Sequence, residues 1–116
     1  MRLLLVSHGY PPETTGGTER SVQALARGAV LRGHEVRVLA GSLHKGGAGE
    51  LVREEHHVPT SGARIEVLRA KRGDLYFDHW QKSACPALGR AYDGLLAEYA
   101  PDVVHVHHWL RLTRDL

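Results

Sequence analysis

The sequence predicts an α/β protein built on a doubly wound parallel sheet, and three observations carry that prediction. The first is Leu3-Leu4-Leu5-Val6, a continuous apolar run of the kind found in strands covered on both faces. The second is a stretch of helical periodicity that follows it and leads into another apolar run, which makes a strand–helix–strand unit. The third comes late in the chain, where an amphipathic stretch opened by Pro86 and closed by Pro101 precedes Val103-Val104-His105-Val106-His107.

After the first strand the chain passes Pro11-Pro12 and Gly16-Gly17 and enters a helix over Arg20 to Arg32. Val22, Leu25, Ala26, Ala29 and Val30 fall at i, i+3, i+4, i+7 and i+8, so one face is apolar while Arg20, Gln23 and Arg27 lie on the other. Arg32-Gly33-His34 stops it, with a glycine where a left-handed residue is wanted. Val36 to Ala40 reads as the second strand, Gly41 to Gly49 as a mobile loop, and Glu50 to Ser61 as a polar segment without a period. Arg64 to Leu68 alternates polar and apolar residues and makes a third strand, nearer an edge. Lys71 to Lys82 mixes basic residues with Leu75, Tyr76, Phe77 and Trp80; it is either a surface for an apolar partner or a loop folded onto the core. Leu88, Ala91, Tyr92, Leu95, Leu96 and Tyr99 line one stripe of a second helix. The fourth strand follows, His108-Trp109 begins the loop after it, and Arg111 to Leu116 starts a further helix. A doubly wound sheet of about four strands takes the order 3-2-1-4.

A chain of 116 residues is one domain, 1–116, and buries roughly two-thirds of the surface its unfolded form exposes. A formal charge of only +2 with scattered Lys and Arg argues against a general affinity for nucleic acid. A single cysteine, Cys85, excludes an internal disulfide and fits a reducing compartment. The N-terminal apolar run is too short for a signal segment and no stretch approaches a membrane span, so a cytoplasmic protein is expected. The Lys71 to Lys82 segment adds the expectation of peripheral contact at the inner membrane face.

Two places carry chemistry. Gly16-Gly17, between strand and helix, puts backbone N–H groups and the positive end of a helix dipole at one spot, which suits a phosphate. The alternative is a left-handed turn that serves only tight packing. In the order 3-2-1-4 the first and fourth strands are neighbours, so Gly16-Gly17 and His107, His108 and Trp109 should border one crevice. Strand parity sets His105 and His107 on one face and Val104, Val106 and His108 on the other. His105, one step deeper, reads as a hydrogen-bonded core histidine. His105-x-His107 is like the paired imidazoles of some metal sites, but Trp109 stands where an acidic ligand is wanted, and no metal is expected. His56-His57 reads as a solvated pair. There is no G-x-S-x-G elbow and no G-x-G-x-x-G.

Taken together, Pro11-Pro12, Gly16-Gly17-Thr18-Glu19, Leu25-Ala26, Arg32-Gly33-His34-Glu35-Val36 and Pro101-Asp102-Val103-Val104-His105-Val106-His107 resemble the N-terminal domain of glycosyltransferase family 4, over nearly the whole chain. The resemblance implies a Rossmann-like half of a GT-B fold and transfer of a sugar from a nucleotide-sugar donor with retention of configuration. It implies that Gly16, Gly17 and Thr18 meet the donor diphosphate, that Glu19 shapes the turn, and that His107, His108 and Trp109 face a sugar, lipid or small-molecule acceptor. Three residues, Glu13 to Thr15, separate the prolines from the glycines where family members often have two. No cofactor is implied beyond the nucleotide-sugar substrate, and no catalytic residue can be assigned. The donor-binding C-terminal domain lies outside this sequence, so the chain alone is expected to be inactive and to associate through an exposed sheet edge. A stand-alone α/β module that binds a phosphorylated metabolite is the alternative from another class.

Overall fold

The structure, a computed structural model, describes residues 1–45, 50–72 and 86–107. Its elements are β1 (Arg2–Ser7), α1 (Gly17–Leu31), β2 (Glu35–Lys45), β3 (Leu51–His57), β4 (Arg64–Arg72), α2 (Pro86–Tyr99) and β5 (Val103–Val106). They form one five-stranded sheet in the order β3-β4-β2-β1-β5. The four strands β4, β2, β1 and β5 are parallel and carry the expected 3-2-1-4 order, while β3 runs antiparallel to β4 at one rim.

Three expectations are corrected. The polar segment after Glu50 contains β3, which no apolar period announces, because its backbone is satisfied by β4 and its charges by neighbours such as Arg64 on Glu55 at 3.0 Å. β2 continues through Gly41 to Lys45, where a mobile loop was expected, because β4 supplies a parallel partner as far as Arg72. The third strand of the sequence reading, β4, is therefore interior rather than near the edge. The Lys71 to Lys82 segment beyond residue 72, Cys85 and the helix expected from Arg111 lie outside the described residues.

Helix α1 covers one face, where Val22, Ala26 and Ala29 meet Leu5, Val36, Val38, Ile65 and Val67. Leu25, expected on the buried stripe, is 40% exposed because it falls on the flank of an arc centred on Val22 and Ala26. Gly33, at φ 92°, ends α1, with the Gly33 and His34 amides donating to Val30 O and Ala29 O at 3.1 and 3.2 Å. Helix α2 covers the other face, where Leu88, Tyr92, Leu95 and Tyr99 meet Leu4, Val6, Leu39 and Leu68. The Tyr99 hydroxyl, 3.1 Å from Leu3 O and 3.0 Å from Glu35 O, ties its last turn to β1 and β2. The Arg37 guanidinium lies 4.3 Å above the Tyr99 ring and 3.1 Å from Glu66.

Asp102 sets β5 in register beside β1. The Arg2 amide donates to its carboxylate at 2.7 Å, and the Asp102 amide donates to Arg2 O at 2.8 Å. Among the described residues nothing pairs with the outer side of β5, and its Val103, Val104 and Val106 are exposed. No described helix is long and apolar enough to cross a membrane.

Candidate functional site

The carboxyl ends of β1 and β5 lie side by side: Val6 is level with Val106, and the His107 amide donates to Val6 O at 2.7 Å. The loop from β1 into α1 and the chain leaving β5 therefore start from the same end of the sheet, the end where ligands of such sheets bind.

A buried arginine holds the loop after β1. Arg69 of β4, 3% exposed, donates through Nη1 to Tyr10 O at 2.7 Å and through Nη2 to Pro11 O at 3.0 Å, while its Nε donates to Glu54 Oε1 at 3.2 Å. His56 Nε2 donates to the same Glu54 oxygen at 2.9 Å, and its ring meets the edge of Tyr10 at 5.6 Å. Burial pushes the Glu54 carboxyl up, but hydrogen bonds and charge from His56 and Arg69 outweigh it and hold the group below the usual range. His56 is thus part of a half-buried network and not of a solvated pair. Its neighbour His57 is exposed and lies 3.4 Å from Glu55. Ser42 Oγ donates to Glu13 Oε2 at 3.3 Å, a second tie between sheet and loop. Nothing in the spacing of the sequence marked Arg69, because two of its partners are main-chain carbonyls, which leave no residue signature, and the third, Glu54, lies in a segment without a period.

The turn differs from the left-handed alternative of the sequence reading. Gly16 caps α1 with φ −70° and ψ −177°, and neither Gly16 nor Gly17 takes a positive φ, so the left-handed turn is absent. The Gly16 amide is engaged: it donates to Glu19 Oε2 at 2.9 Å. Glu19 is 6% exposed, and its other oxygen lies 3.0 Å from His8 Nε2. Burial raises the Glu19 carboxyl, but the amides of Gly16 and Glu19, the neighbouring His8 and the Thr14 hydroxyl together hold it below its usual value. A Cβ added at Gly16 would lie 3.0 Å from Glu19 Oε2, whereas one added at Gly17 would meet nothing within 4 Å. Gly16 is small to admit Glu19; Gly17 has no such reason within the described chain. Both glycines are exposed and Thr18 is half-buried.

On β5, His105 and His107 share a face as parity required, and their rings stack with centroids 4.1 Å apart. The depth expectation is reversed: His105 is exposed because α1 does not extend over β5, and His107 is the more covered of the two. Burial, with a smaller contribution from His105, lowers the His107 pKa, and its Nε2 has no partner among the described residues. His108 and Trp109 lie outside the described residues. Among those residues no group of three His, Cys, Asp or Glu side chains is placed to hold a metal ion.

The sequence model of Glycosyltransferase Family 4 matches residues 15–114. Glycogen synthase of Mycobacterium tuberculosis, strain CDC 1551 / Oshkosh, is 30% identical over 119 aligned residues, which cover 95% of this chain and 28% of the relative. The glycogen synthase of strain ATCC 25618 / H37Rv gives the same figures. The chain spans little more than a quarter of the length of these curated relatives. No solved structure matches it.

Proposed function

The chain belongs to glycosyltransferase family 4, and from that premise we propose that it forms the acceptor-side half of a retaining transferase that uses a nucleotide-sugar donor. In this proposal the donor diphosphate rests on the backbone of Gly17 and Thr18, at the amino end of α1. Gly16 gives its own amide to Glu19 and so fixes the turn that presents the next two residues. The acceptor enters beside His107, with His108 and Trp109 continuing that wall. The observation that supports it most directly is Gly17: it is exposed, opens a helix, and has no neighbour within 4 Å of its missing side chain. Backbone N–H groups at such a helix start are suited to a diphosphate.

A diphosphate leaving group gathers charge as the glycosidic bond breaks, and groups aimed at that charge supply most of the catalysis. The turn offers amides, a dipole and the exposed Arg20 on the first turn of α1, and the proposal places further stabilising basic groups on a second domain across a cleft. Among acceptors, the name of the relatives, glycogen synthase, makes a glucan the first to try. Amide resonances of residues 16–18, followed by NMR during addition of UDP-glucose, test the proposal. Shifts confined to the turn and to His107 are expected, while unperturbed resonances at millimolar donor would overturn it. Submicromolar binding by the 116-residue chain alone would instead favour a self-sufficient metabolite-binding module.

A further inference from the structure

The amino end of α1 already holds an anion. Glu19 is buried, ionised and hydrogen-bonded to Gly16, and its charge offsets part of the positive end of the helix. A diphosphate arriving at the open side of Gly17 would face that carboxylate across one turn of backbone. Two anions so close in a partly desolvated setting need a countercharge.

Among the described residues, a titratable side chain in contact with Glu19 is His8, just after β1, with Nε2 3.0 Å from Oε1. An ionised carboxylate only accepts, so Nε2 carries the hydrogen, and a second proton enters the ring at Nδ1. Among the described residues, Arg20 is exposed on the first turn of α1, and several other charged or titratable groups near this end have partners of their own. Arg69 of β4 is directed at Tyr10 O, Pro11 O and Glu54. Glu13 of the loop faces Ser42 of β2, and Arg27 of α1 acts on Tyr10. On β5, His107 is pushed toward its neutral form by burial and His105, which stacks on it.

We propose that His8 is a positioning residue for anion binding: a diphosphate at Gly17 and Thr18 draws a proton onto His8, whose imidazolium then balances Glu19 and holds it on Gly16. The inference rests on the proposed donor site. It adds a residue, a proton and a pH dependence to it.

UDP-glucose suits the test, because its diphosphate diester does not titrate near neutrality. Its affinity for the chain should slope downward by about tenfold in all as pH rises through the His8 titration, the amount that a one-unit rise of that titration on binding gives. In H8Q, which keeps an N–H donor toward Glu19 without titrating, the slope should vanish. It should vanish in E19Q also. The His8 ring, followed by NMR, should titrate about one pH unit higher in the saturated protein than in the free one, and this measurement carries the test if E19Q does not fold. A His8 titration unmoved by saturation, with Gly17 and Thr18 amides still shifting, would overturn the role of His8 and leave the donor site standing. Absence of any amide shift between about pH 6 and 8 would overturn both.

Discussion

The two adjacent glycines make different predictions because their missing side chains face different things. G16A forces a Cβ to 3.0 Å from a buried carboxylate oxygen, so it should cost roughly 1–2 kcal/mol in urea denaturation. G17A meets nothing and replaces glycine at a helix start, so stability should hold or rise by up to about 0.5 kcal/mol. If the donor lies on this turn, G17A should nevertheless weaken UDP-glucose binding. Glu19 supplies a pH prediction: its carboxyl is depressed in the folded chain, so its stabilisation is present above the ordinary value of 4.5 and lost as pH falls through the folded value. Wild type should therefore exceed E19Q in melting temperature at pH 7, and the two should converge on acidification. At this scale the sequence was readable where a residue acts through its own type, as at Gly33, whose left-handed φ the Arg-Gly-His stop announced. It was silent where a side chain serves the backbone of another segment, as Arg69 does, and misleading at His105, whose depth depends on how far α1 extends.

Between elements, the last turn of α2 concentrates the contacts that fasten one face of the sheet. Y99F removes a hydroxyl shared by Leu3 O and Glu35 O and should cost about 1–2 kcal/mol by chemical denaturation. Burial, then the Glu35 charge, push the Tyr99 hydroxyl up to about 12. Its contribution is whole below an ordinary tyrosine value near 10 and disappears as pH rises toward 12, so the gap between wild type and Y99F should shrink in strong alkali. One residue on, Ala100 holds φ 48°, a conformation that glycine adopts at little cost. A100G should raise stability by up to about 1 kcal/mol, read as a higher melting temperature. Both helices and all four parallel strands were legible because each carries an apolar stripe or run in its sequence. β3 was not, since a charged rim strand satisfied by cross-strand pairs such as Arg69 with Glu54 leaves no apolar period.

The whole sheet has unlike rims. β3 presents Arg53, Glu54, Glu55, His56 and His57, a composition that discourages further pairing, whereas β5 exposes Val103, Val104 and Val106. Sedimentation velocity at rising concentration should show the 116-residue chain associating, and V104K should shift it back toward monomer. The turn between β3 and β4 lies across the sheet from β5 and at the amino end of β4, opposite the diglycine loop. It is closed by Val58 N–H to Ala63 O at 2.8 Å, and Ser61 on it is exposed. A tether attached there, by S61C on a sensor chip, would leave both the apolar rim and the helix start facing the flowing solution.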